Sequence, residues 1–76
     1  MSDARPKKRS LTLHGHRTSV SLEEPFWRAF LKIAAEDGKT INGLAAEIDD
    51  KRLGEPGLAS AIRLYVLARL QQAHEA

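Results

Sequence analysis

The sequence predicts a mainly α fold with one short strand, and three patterns in its 76 residues predict it. Residues 17–22, Arg-Thr-Ser-Val-Ser-Leu, alternate with the period of two that marks a strand with unlike faces. Two stretches, 24–37 and 41–51, place apolar residues at helical spacing, with a Gly-Lys-Thr turn between them. A third apolar-rich stretch begins after a Gly/Pro break. The chain offers the strand no convincing partner, and unpaired backbone N–H and C=O groups are costly. A second copy of the same strand is the expected completion, forming a two-stranded ribbon between two chains.

Residues 1–9 contain Pro6 and four basic side chains without apolar periodicity and read as a flexible basic arm. The folded domain is expected over 10–76. Leu11-Thr12-Leu13 also alternates, but its apolar residues are odd-numbered whereas Val20 and Leu22 are even-numbered. Gly15 lies between the two pieces, so a break is expected there and the ribbon proper at Arg17–Leu22. In that strand Thr18, Val20 and Leu22 share the face to be buried, and Arg17, Ser19 and Ser21 share the other.

Glu23-Glu24-Pro25 suits a helix entry, because carboxylates complement the dipole and proline is tolerated in the first turn. Phe26, Phe30, Ile33 and Ala34 form the stripe, with Trp27 and Leu31 widening it, and Gly38 can end the helix in the left-handed region. Thr40 is a good N-cap for the next helix, where Ile41, Leu44, Ala45 and Ile48 fall on one face. Two glycines and a proline over 54–57 break the pattern before a helix at 58–72. Apolar residues wrap much of that last helix, so it is expected to pack on its own domain and on a partner chain.

A chain this short has a marginal core, and without cysteine it has no disulfide or thiolate staple, which leaves association as the route to a larger core. No apolar run approaches the roughly 18 residues of a membrane span, so a cytoplasmic protein with no membrane partner is expected. Residues 1–17 hold five basic groups against one acidic, whereas the remainder holds seven against nine. The positive charge therefore gathers on the ribbon and its leading arm, the footprint of a polyanion binder.

A two-stranded ribbon fits the major groove of B-form DNA. Arg17, Ser19 and Ser21 are the candidate base-contacting residues, since arginine can bond guanine O6 and N7 together and serine can serve several bases. At the start of the second helix, amides without intrahelical partners and the positive dipole end form a phosphate site, with Lys39, Thr40, Ile41 and Asn42 as its candidates. Lys7, Lys8 and Arg9 of the arm join the candidate phosphate contacts. His14 and His16, with only His74 as a further imidazole, are too few for a metal site, and no metal or cofactor is expected. The Glu23/Glu24 and Asp49/Asp50 pairs have no nucleophile or phosphate loop beside them, so no enzyme is expected. Trp27 and Tyr65 read as core or dimer anchors, and Arg63 and Arg69 as cations for an intersubunit ion pair with Asp49 or Asp50, or for solvent.

The order of strand, helix, Gly-x-Thr-x-Asn and helix over 17–52 resembles the ribbon-helix-helix DNA-binding proteins of the Arc and MetJ type. The stretch 13–23, the Phe26-Trp27 pair, the segment 45–49 and the helix opening at 58–63 resemble, more narrowly, a bacterial subgroup of predicted ribbon-helix-helix proteins. The resemblance implies an intertwined homodimer with an intersubunit two-stranded antiparallel ribbon, open to higher assembly, with base contacts from Arg17, Ser19 and Ser21 and phosphate contacts from Thr40, Ile41 and Asn42. The additional C-terminal helix departs from the minimal pattern. The expected function is a nucleoid-associated, sequence-specific transcriptional regulator of double-stranded DNA, acting as a repressor. The alternative is an antitoxin-like or adaptor interaction module whose C-terminal helix docks a protein partner. A helix-turn-helix reader is disfavoured because Glu47, Asp49 and Asp50 would make an acidic recognition helix.

Overall fold

A computed structural model describes residues 5–52, 54 and 57–75, with side chains described to residue 73. The element order is β1 (Lys7–Leu13), β2 (His16–Leu22), α1 (Glu24–Glu36), α2 (Ile41–Lys51) and α3 (Leu58–Glu75). The three helices begin where the sequence places them. The first four residues of the arm, His74, and Leu53, Glu55 and Pro56 of the break lie outside the described residues or side chains.

The strand is not alone, which corrects the expectation of a single strand lacking a partner in its own chain. β1 pairs antiparallel with β2, from Lys7 opposite Leu22 to Leu13 opposite His16. His14 and Gly15 form the two-residue turn with φ of 52° and 79°. Two positive φ values are what a type I′ turn demands, and its twist matches that of the flanking strands. The phase change across Gly15 is the consequence of this turn. Each pair joins positions of opposite parity, odd to even or even to odd, and directly opposed residues share a face. Leu11, Leu13, Val20 and Leu22 thereby reach one buried layer. Lys7, Lys8 and Arg9, expected in a flexible arm, are the first residues of β1.

That layer packs on Phe30, Ile33 and Ala34 of α1, on Leu44, Ala45 and Ile48 of α2, and on Ala61, Ile62 and Val66 of α3. Thr18 belongs to the same face by parity but is exposed, although Leu11 opposite it is buried. Trp27 and Tyr65 pack against the edge of the core.

Local signals explain the helix ends. Gly38, at φ 67°, lets the Lys39 N–H donate to the Ala34 carbonyl (2.9 Å) and its own N–H to Ala35 (3.1 Å), closing α1 in a Schellman motif. The Thr40 side chain accepts from the Gly43 N–H at 2.9 Å and caps α2.

α3 is fastened by two arginines, whose partners differ from those expected. Arg63 donates to both carboxylate oxygens of Glu23 (2.9 and 3.1 Å) and to the Ser21 carbonyl, and Arg69 binds both carboxylate oxygens of Asp37. These pairs lie within one chain and clamp α3 to the two ends of α1. Asp49 instead binds Arg52, and Asp50 lies 2.8 Å from the His14 ring. Arg63 and Arg69 hold Glu23 and Asp37 below the usual carboxylate range, chiefly through these hydrogen bonds, and Asp37 in turn raises Arg69.

Candidate nucleic-acid interface

The hairpin has a second face. Register and alternation place Lys8, Ser10 and Thr12 of β1 beside Ser21, Ser19 and Arg17 of β2, and all six are exposed. Arg17, Ser19 and Ser21 therefore stand together on one outward row, as the alternation predicted. The neighbouring row of β1 was not in the predicted base-contacting set. Its signal was the reversed phase across Gly15, which could have identified a hairpin. Residues 7–22 contain four Lys or Arg and no acidic residue, so no carboxylate on the ribbon opposes a polyanion.

The turn also decides which backbone groups are free. Leu13 and His16 flank a two-residue loop and form a hydrogen-bonded pair, so the alternate residues, Thr12, Arg17, Ser19 and Ser21 among them, direct their N–H and C=O groups away from the hairpin. Two contacts bear this out. The Thr12 N–H donates to Asn42 Oδ1 at 3.0 Å, and Ser21 O accepts from Arg63 at 3.2 Å. Among the described residues the backbone groups of Arg17 and Ser19 have no partner, leaving the outer edge of β2 open beside the row of Arg17, Ser19 and Ser21.

The start of α2 lies against β1 through that Thr12–Asn42 bond. The Asn42 side-chain oxygen is therefore engaged, and Thr40 Oγ1 accepts the Gly43 N–H. The Ile41 and Asn42 N–H groups remain without a partner among the described residues. Lys39 Nζ pairs with Glu47 at 2.9 Å yet stays exposed, and the carboxylate raises its pKa.

Arg9 is not brought to this surface. Its position in β1 turns it inward, where Nη2 donates to Glu24 at 2.6 Å and the guanidinium lies 5.2 Å from the Trp27 ring centroid. With 17% of its side chain exposed, it fastens β1 to α1 and leaves the phosphate-contacting set. Arg9 and Arg28 together hold the Glu24 carboxyl below its ordinary range. Lys7 and Lys8 remain exposed.

His14 sits in the turn and His16 in β2, and no cluster of three metal-ligating side chains exists among the described residues. No helix among those residues is long and apolar enough to cross a membrane.

No curated protein and no solved structure matches the chain. A family model described as ribbon-helix-helix domain matches residues 6–70, from the start of the hairpin into α3. With both strands, the capped α1–α2 turn and most of α3 inside that match, the chain belongs to the ribbon-helix-helix domain family.

Proposed function

We propose that the protein is a sequence-specific DNA-binding transcriptional regulator that reads the major groove with the outer face of its ribbon. The observation that carries this reading is the exposed row Arg17, Ser19 and Ser21 on a hairpin that holds no acidic residue. Arginine supplies the bidentate contact to guanine, and the serines supply adaptable donors and acceptors. Lys39, Thr40, Ile41 and Asn42 at the start of α2, with Lys7 and Lys8 of β1, contact phosphates and hold the ribbon in register. The working unit is a homodimer. The open edge of β2 suits antiparallel pairing with a second copy, Ser19 meeting its counterpart and Arg17 meeting Ser21 across the two-fold axis. That arrangement sets two reading rows side by side. Repression follows from occupying the site, and the protein acts on the nucleoid in the cytoplasm.

The test is selection of binding sequences from random duplex DNA, with solution mass measured alongside. A palindromic motif with a dimeric mass is expected. Arg17→Ala should weaken specific binding by about 1–3 kcal/mol per symmetric contact and relax preference at that base, while leaving the dimer intact. An unaltered preference in the variant would refute the assignment of Arg17.

A second reading is favoured by α3. Leu64, Leu67 and Leu70 are 57%, 48% and 50% exposed, and Leu64 lines a groove of about 460 Å³ with Leu44, Ile48, Ala61 and Tyr65. An antitoxin-like or adaptor protein would dock a partner there. A stable complex with another protein and no enriched DNA motif would favour it.

A further inference from the structure

We propose that the outer row of β1, Lys8, Ser10 and Thr12, is a phosphate-contacting flank that gives affinity without sequence preference. The proposal rests on the dimeric DNA-binding reading above. Its starting point is the in-chain hairpin, which sets a second polar row beside the reading row, pairing Lys8 with Ser21, Ser10 with Ser19 and Thr12 with Arg17. All three β1 residues are exposed.

Width decides what this row touches. Neighbouring strands lie about 4.8 Å apart, so two β2 strands joined at a two-fold axis each stand about 2.4 Å from it, and the β1 strands stand about 7 Å from it. The major groove is about 12 Å wide, or about 6 Å to each side of the same axis. The β2 rows fall over base edges, whereas the β1 rows fall over the walls, where the phosphates are. The chemistry of the row suits that position: one ammonium and two hydroxyls can donate to phosphate oxygens.

The surroundings agree as well. The Thr12 N–H is bonded to Asn42 Oδ1 at 3.0 Å, so this flank runs beside the start of α2. The surface order is then β2, β1, α2, from groove centre to backbone. Arg9, the one cation of β1 with bidentate reach, is turned inward onto Glu24 and Trp27.

The experiment compares Lys8→Ala and the triple variant Lys8→Ala/Ser10→Ala/Thr12→Ala with the wild type. Binding is measured on the selected duplex and on a scrambled duplex over a range of salt concentrations, and selection is repeated with each variant. Circular dichroism confirms folding, and Thr12→Ser, which keeps the hydroxyl, should bind like the wild type.

The expected result is a similar fractional loss of affinity on both duplexes and an unchanged selected motif. For Lys8→Ala the slope of log affinity against log salt should fall by about 2, one phosphate per copy in a dimer. A changed motif would overturn the proposal by showing that β1 reads bases. Unchanged affinity and slope would overturn it by showing that β1 does not touch DNA. In both cases Arg17→Ala would still alter the wild-type preference. If the wild type selects no motif and Arg17→Ala has no effect, the DNA-binding reading itself fails and the flank fails with it.

Discussion

Gly15→Ala tests the hairpin most directly. Gly15 holds φ at 79°, and a Cβ built there meets nothing within 4 Å. The substitution therefore introduces no collision, and its cost is the backbone conformation alone. An L-residue in the left-handed region is disfavoured by about 1–2 kcal/mol. Alanine would otherwise stabilise by about 0.4–1 kcal/mol through the unfolded chain, but only where φ is compatible, which here it is not. A net loss of about 1–2 kcal/mol is expected, and for a domain of this size it lowers the midpoint by about 4–8 °C per kcal/mol. Thermal unfolding followed by circular dichroism measures it. Gly15→Asn should fall between glycine and alanine, since asparagine tolerates positive φ. A midpoint unchanged or raised in Gly15→Ala would refute the type I′ turn, and with it the pairing of β1 to β2. Had the chain carried only the lone strand 17–22, the same substitution would be neutral or stabilising.

Two further outcomes follow from the packing. Leu11 is 2% exposed, so Leu11→Ala should cost about 2–5 kcal/mol in urea unfolding; a loss within a few tenths would mean that β1 is not packed on the helices. Arginine partners depress Asp37, Glu23 and Glu24, so the native chain binds fewer protons than the unfolded chain in the acidic range. Their stabilisation is complete above the ordinary carboxylate range and is lost as pH falls through the depressed native values, so the thermal midpoint should drop below about pH 4. Asp37→Asn should lower the midpoint near neutral pH and make that acid decline shallower. An identical pH profile in the variant would show that the Arg69 clamp contributes nothing to the fold.

The in-chain hairpin also changes the polar surface of this domain. One chain presents two polar rows rather than one, and it does so through a turn that leaves the β2 edge open. Polar side chains on β2 and the amides opening α2 are then separated by a strand whose outward residues are Lys, Ser and Thr. On the proposed DNA-binding reading, positioning and readout fall to different strands of the same ribbon.

The helices were legible in the sequence because their determinants are local. Apolar spacing from Phe26 to Ala34, Gly38 at the end of α1 and the Thr40 cap each act within a few residues, and the structure keeps all of them. Alternation likewise determined that Arg17, Ser19 and Ser21 share a face, since a strand has no other way to arrange them. The partner of that strand was decided only by tertiary structure. A period of two says which residues share a face, not which strand lies alongside, and His14-Gly15 lacks the Asn-Gly signature that announces a two-residue hairpin. The same limit governed the charges. Arg9 reads in sequence as one of several arm cations, but β1 turns it inward onto Glu24 and Trp27. Arg63 and Arg69 find Glu23 and Asp37 rather than Asp49 or Asp50. Long side chains choose partners by proximity in space, and that proximity exists only once the hairpin and three helices have packed.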